Sequence, residues 1–149
     1  MCNYDYIVYA EGGYNRDLNK GAIAYIVIDG TDKHIIDSVA KPLGAVNDQQ
    51  AHLVAIGKAV RSLPNNCSVL VYSDSTYAVG LYNGTFKKVK ANRDYQEAFF
   101  KMVRMKQLRL SIEWHGLKLG DPLTRLCWKG CSDEVGEDFG EYYNRVRKF

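Results

Sequence analysis

Apolar and polar positions change period several times along the chain, and each change marks an element. Tyr4-Asp5-Tyr6-Ile7-Val8-Tyr9-Ala10 is dense in aromatic and β-branched residues and meets Glu11-Gly12-Gly13, which predicts a strand followed by a turn. Gly21-Ala22-Ile23-Ala24-Tyr25-Ile26-Val27-Ile28 runs up to Asp29-Gly30, and His34-Ile35-Ile36-Asp37-Ser38-Val39 follows a few polar residues later. Short loops between these three consecutive strands predict an antiparallel meander. From Gln49 to Leu63 the period lengthens, with Leu53, Ile56, Val60 and Leu63 at helical spacing before Pro64-Asn65-Asn66 ends the run.

The second half alternates elements of both kinds. A buried strand is expected over 68–73, then a short helix from Ser75 to about Tyr82, broken by Asn83-Gly84. Tyr95, Ala98, Phe99, Met102 and Met105 give an amphipathic helix from Asp94 to about Gln107. Leu108-Arg109-Leu110-Ser111-Ile112-Glu113-Trp114 alternates as a strand with one exposed face does. Asp121-Pro122 predicts a helix start, because Asp caps and Pro suits the first turn. Val135, Phe139, Tyr142 and Val146 keep helical spacing to the end, with Ser132 as the expected cap. The order predicts an α/β fold, a five-stranded mixed sheet of antiparallel meander plus parallel strands, flanked by helices.

Composition sets the scale of this fold. With 149 residues, 46% apolar and 25% charged, the chain is expected to form one domain, 1–149, without repeat, linker or low-complexity segment. It opens Met1-Cys2-Asn3-Tyr4-Asp5 without a basic head or a cleavage pattern. Its apolar runs stop short of the roughly 20 residues that span a bilayer. A cytoplasmic protein with no membrane partner is the expectation.

Cys2, Cys67, Cys127 and Cys131 form no dense disulfide framework. Cys127 and Cys131 lie one helical turn apart and could bind zinc with His115 or His52, but no CxxC pair accompanies them, and the expected role is small buried apolar residues. The formal charge of +3 is well short of domains that hold nucleic acid by charge alone. Its distribution says more. Lys87, Lys88, Lys90 and Arg93 form one basic cluster, and Lys101, Arg104, Lys106 and Arg109 a second. Arg145, Arg147 and Lys148 close the chain after the acids Asp133, Glu134, Glu137, Asp138 and Glu141.

The sharpest chemical signal is Asp74, where Val69-Leu70-Val71-Tyr72-Ser73 stops and Ser75-Thr76-Tyr77-Ala78-Val79 turns into a helix. Ligands of open α/β sheets bind beyond the carboxyl ends of strands, so this acid is either a working group or the N-cap of the next helix.

Five segments in this order resemble the ribonuclease H family over almost the whole chain. Tyr9-Ala10-Glu11-Gly12-Gly13 is similar to the family's strand-ending Asp-Gly-Ser, and Ala51-His52-Leu53-Val54-Ala55 to its helix segment with a Glu before Leu. Ser73-Asp74-Ser75-Thr76-Tyr77 resembles its Asp-Ser-x-Tyr, and Asn92-Arg93-Asp94-Tyr95 its Asn-x-Asp. Gly120-Asp121-Pro122 through Cys127-Trp128 resembles the final loop and the helix carrying the family's last metal-binding Asp.

The resemblance implies two-metal phosphodiester hydrolysis, in which four carboxylates hold a pair of Mg²⁺ ions. The four matching positions here carry Glu11, His52, Asp74 and Trp128. Two divalent ions bring four positive charges, and only Glu11 and Asp74 oppose them as carboxylates. An indole cannot ligate a metal, and an imidazole tilts a surviving single site toward Mn²⁺ or Zn²⁺ over Mg²⁺. The cofactor expectation is Mg²⁺ or Mn²⁺ if any, or none. If the last segment aligns differently, Asp133 replaces Trp128 as fourth ligand, or Asp121 reaches the site from the loop. Lys118 falls where the family keeps a mobile His, unless His115 takes that role.

Plainer readings stand beside these. Glu11 is either a site residue or a charge at a strand end, His52 either a site residue or a packing histidine, and Trp128 either an apolar plug or a base-stacking ring. The resemblance implies that Asn92 helps hold a DNA-strand phosphate, with Asn47 near the family's partner hydroxyl and Thr76 in the Asp74 motif. Lys87, Lys88, Lys90 and Arg93 stand where relatives carry a basic substrate-binding segment, or are solvated charge.

The leading expectation is a ribonuclease H-like domain with an impaired site, inactive or weak, that binds nucleic acid or protein. The alternative is an active metal-dependent ribonuclease that cleaves the RNA strand of RNA/DNA hybrids from a rebuilt site. A third reading is a protein-interaction module whose contact uses Trp128 and surface tyrosines.

Overall fold

The computed structural model describes residues 3–44, 46–86, 89–115 and 122–135. Its elements are β1 (Tyr6–Asn15), β2 (Lys20–Asp29), β3 (Ile35–Leu43), α1 (Asp48–Arg61), β4 (Ser68–Ser73), α2 (Thr76–Tyr82), α3 (Arg93–Met105), β5 (Arg109–Trp114) and α4 (Pro122–Val135). The strands form one five-stranded sheet in the order β3-β2-β1-β4-β5. The meander pairs are antiparallel, while β1 with β4 and β4 with β5 are parallel. This is the mixed sheet that the pattern predicts.

β2 shows why the sheet is covered on both faces. Its residues from Gly21 to Ile28 are all buried, and they alternate sides. Ile23, Tyr25 and Val27 join Val8, Leu53, Ile56, Val69, Val71 and Phe99 in the layer that α1, α2 and α3 cover. Ala22, Ala24, Ile26 and Ile28 face α4, where Cys127, Trp128 and Cys131 fill the second layer. Strand side chains alternate at period 2, so a strand buried on both faces reads as a continuous apolar run. Cys67, Cys127 and Cys131 are buried free thiols, and Cys2 lies outside the described residues.

Two sequence expectations change, and one of two open alternatives for Asp74 is excluded. Glu11-Gly12-Gly13 is not a turn: β1 runs through it, with Glu11 opposite Ala24, Gly12 opposite Ile23 and Gly13 opposite Ala22. A Cβ on Gly12 would overlap the backbone of Ala51 and His52, so this glycine marks the close approach of α1 to the sheet. Asp74 is not the N-cap of α2, because Ser75 Oγ accepts the Ala78 N–H at 3.1 Å. Ser132 does not cap a final helix. It lies inside α4 and donates from Oγ to the Lys129 carbonyl at 2.9 Å.

β3 runs on past Val39 to Leu43, and its Pro42 is tolerated because β3 is an edge strand. Phe139, Tyr142 and Val146 lie outside the described residues. Among the described residues no helix is long and apolar enough to cross a membrane.

Candidate active site

Glu11 and Asp74 come together through backbone register. Parallel β1 and β4 pair Ala10 with Ser73, so the next residue on each strand carries its carboxylate to the same level. Glu11 is only 2% exposed. The tight Gly12 contact brings the first turns of α1 alongside, and with them His52. His52 Nδ1 accepts the Gly12 N–H at 3.2 Å and stands 3.5 Å from Glu11 Oε1 and 3.6 Å from Asp74 Oδ1. One ligand atom from each of the three lies within 4.8 Å of the others.

The polar satisfaction of this group is uneven. Glu11 Oε1 accepts the Gly12 N–H at 3.1 Å, and Glu11 Oε2 accepts the indole N–H of Trp128 in a short hydrogen bond. Trp128 itself is fully buried. Asp74 has a 9% exposed side chain, and its buried Oδ1 has no hydrogen-bond partner. Burial pushes the Glu11 carboxyl well above the usual glutamate range, the negative Asp74 beside it pushes it further, and the indole and Gly12 N–H groups pull it back. Close carboxyls of this kind share a proton readily, and a cation between them would serve the same purpose.

A cavity of about 20 Å³ opens beside the group, bordered by Glu11, Asp74, His115, Thr124 and Trp128. That is room for about one water-sized occupant. Thr124 Oγ1 is a second buried oxygen here without a hydrogen-bond partner. The His115 ring meets Tyr9 at 5.6 Å and Tyr72 at 5.1 Å, so it is held in an aromatic cluster at the cavity wall. Asp133 stands elsewhere, on the exposed side of α4, in an ion pair with Lys129 at 2.6 Å. Asp121 and Lys118 lie outside the described residues.

The expected nucleic-acid residues form a polar chain across the tops of the helices. Asn47 caps α1 by accepting the Gln50 N–H at 2.8 Å. The Gln50 side chain donates to Asn92 Oδ1 at 3.2 Å, and Asn92 Nδ2 donates to the Tyr77 hydroxyl at 2.9 Å. Asn92 holds a left-handed backbone, φ 59°, one residue before α3. Arg93 donates to the Val89 carbonyl at 2.8 Å, and Thr76 and Lys90 are exposed. Lys87 and Lys88 lie outside the described residues.

Gln50, Trp114 and Thr124 escaped the sequence reading. Gln50 was legible, since Asn47-x-x-Gln50 has the spacing of a capping box, although its side chain reaches Asn92 instead of the cap. Trp114, whose indole N–H donates to the Asp74 carbonyl at 3.2 Å, carried no signal beyond closing an alternating strand.

A family model described as RNase H matches residues 3–116. No sequence among the curated proteins matches the chain. Among solved structures it is similar to the foamy viral protease-reverse transcriptase in complex with dsDNA, with a TM-score of 0.68 and 16% identity, covering 89% of this chain and 94% of that one. RNase H1 from the halophilic archaeon Halobacterium salinarum NRC-1 is similar at a TM-score of 0.66 and 14% identity, over 88% and 97% of the two chains. The native prototype foamy virus protease-reverse transcriptase gives 0.64 and 16%, over 89% of this chain and 21% of that one.

Proposed function

The chain belongs to the ribonuclease H family, and on that premise we propose that it is a member with an impaired metal site, weak or inactive as a nuclease, that retains binding of nucleic acid. The observation that supports this is the Trp128 indole. It has no lone pair to offer a metal, and its N–H occupies Glu11 Oε2.

Among the described residues the donors are two carboxylates and one imidazole, and a pair of divalent ions does not fit them. One ion fits better, with Glu11 and Asp74 to hold it, Asp74 Oδ1 as the buried oxygen that lacks a partner, and His52 joining if its Nδ1 gives up the Gly12 N–H, which Glu11 Oε1 also accepts. A mixed oxygen and nitrogen set favours Mn²⁺ over Mg²⁺. Bound there, an ion would polarise a phosphoryl oxygen.

Binding rests on this chain's own groups. Asn92, fixed by Gln50 and Tyr77, presents an ordered amide beside Lys90 and Arg93, and Lys87 and Lys88 precede them in sequence. Such groups position a phosphate backbone without reading bases. An RNA/DNA hybrid is the ligand of this reading, and the cytoplasm, where the buried thiols stay reduced, is its compartment.

A second reading has its own support, because three donors within 4.8 Å suffice for a rebuilt single-ion site that cleaves the RNA strand. An end-labelled RNA/DNA hybrid incubated with the protein in Mg²⁺ and in Mn²⁺, beside an Asp74→Asn control, separates the two. An intact RNA strand under both ions is the expected result. Cleavage that disappears in the control would replace the first reading by the second.

A further inference from the structure

A groove runs along the helical face, bordered by α1, α3 and the end of α2, and has a volume of about 510 Å³. Its floor is Leu53, Tyr82 and Phe99, all buried. The Tyr82 and Phe99 rings stack at 4.0 Å, and the Tyr82 hydroxyl donates to the Leu53 carbonyl at 3.2 Å, so the floor is fixed. Val54, Ala98, Met102 and Met105 form the walls, and Met105 is 72% exposed. An exposed, flexible methionine over a rigid apolar floor suits an adaptable apolar contact.

Gly57 makes the groove more than a crease between helices. It sits mid-helix in α1, lines the groove, and a Cβ built on it would meet nothing within 4 Å. A mid-helix glycine costs about 1 kcal/mol relative to alanine. No neighbouring atom excludes a side chain at this position, and the missing one leaves the floor open.

The rim is of one sign. Lys58, Arg61, Lys101 and Lys106 line the groove, and among the described residues no Asp or Glu does. A phosphate backbone would also meet those cations, but of the aromatic rings that line the groove among the described residues Tyr82 and Phe99 are buried against each other, and only the half-buried Tyr95 is left to meet a base. Apolar floor and cationic rim together suit an occupant with an apolar stripe and acidic flanks.

We propose that the groove between α1 and α3 docks an acidic amphipathic helix of a partner protein. The α1 segment from Leu53 to Arg61 is about 12 Å long, or two helical turns, so two or three apolar anchors from one face of the partner fill it. The site is separate from the Glu11 group and does not depend on nuclease activity.

The test is a heteronuclear NMR titration of the ¹⁵N-labelled protein. The probe is a synthetic 16-residue helical peptide with Leu and Phe at i, i+3, i+4 and i+7 and Glu elsewhere. Its Lys-substituted counterpart, a single-stranded oligonucleotide and dodecanoate are added in separate titrations. Saturable shifts at Gly57, Ala98 and Met105 with the acidic peptide, weaker by tenfold or more with the basic one, are expected. Gly57→Leu should fill the floor and weaken the acidic peptide at least tenfold while leaving the remaining spectrum intact. Lys58→Glu with Lys101→Glu should do the same from the rim without touching the core. Absence of shifts at millimolar peptide, equal binding of both peptides, or stronger binding of the oligonucleotide or of dodecanoate at these residues would overturn the proposal.

Discussion

Burial raises the free energy of the Glu11 carboxylate before any neighbour is counted, and Asp74 beside it raises it again. The folded protein therefore favours the protonated acid more than the unfolded chain does. That contribution to stability is complete below the usual glutamate range and is lost as pH climbs through the raised folded value. Within that window the loss for one proton is at most about 1.4 kcal/mol per pH unit. Glu11→Gln cannot ionise, so urea midpoints measured across a pH series should fall with rising pH in the parent and stay flatter in the variant. Parallel curves would mean that Glu11 does not titrate this way. The residue identities at this site were legible in the sequence, since Glu11, His52, Asp74 and Trp128 were all singled out there. Their relations were not. That Ser75 takes the cap and leaves Asp74 Oδ1 unpartnered depends on local geometry, because Ser and Asp are near-equal caps on sequence grounds.

Two glycines show how elements divide the work. Gly12 is in β1 against the backbone of α1, and Gly57 is in α1 facing open space. A methyl group at Gly12 forces strand and helix apart, so Gly12→Ala should cost about 2 kcal/mol or more, within the range for overpacked cores. The same substitution at Gly57 removes a flexible residue from a helix interior and should stabilise by about 0.5–1 kcal/mol. Denaturant midpoints of the two variants should move in opposite directions, and a loss at Gly57 would show that its open space is illusory. Sequence alone misreads Gly12 because Gly-Gly after an apolar run signals a turn, and only the helix on the other side reveals the need for a missing Cβ. The amphipathic period of α1 and α3 was plain, whereas the gap left between them was not, since spacing tells which residues share a face and not how closely two faces meet.

At the scale of the molecule, the mixed sheet was legible because hydrophobic period and short meander loops leave few other arrangements, whereas the order β3-β2-β1-β4-β5 came only from the structure. If the basic segment before α3 binds a phosphate backbone, affinity for an RNA/DNA hybrid should fall steeply with salt. Lys90→Ala and Arg93→Ala should each reduce the slope of log affinity against log salt by about 1. Filter binding at several salt concentrations measures this, and unchanged slopes would assign those cations to solvent. The sheet itself imposes an order on assembly. β1 meets β2 through a short turn, but it meets β4 across 63 residues at the Asp5–Ser68 hydrogen bond. Contacts that close long loops lose more chain entropy before they return any stability. Glu11 in β1 and Asp74 just past β4 are brought together by that pairing, so the two carboxylates meet only once the long loop between their strands has closed.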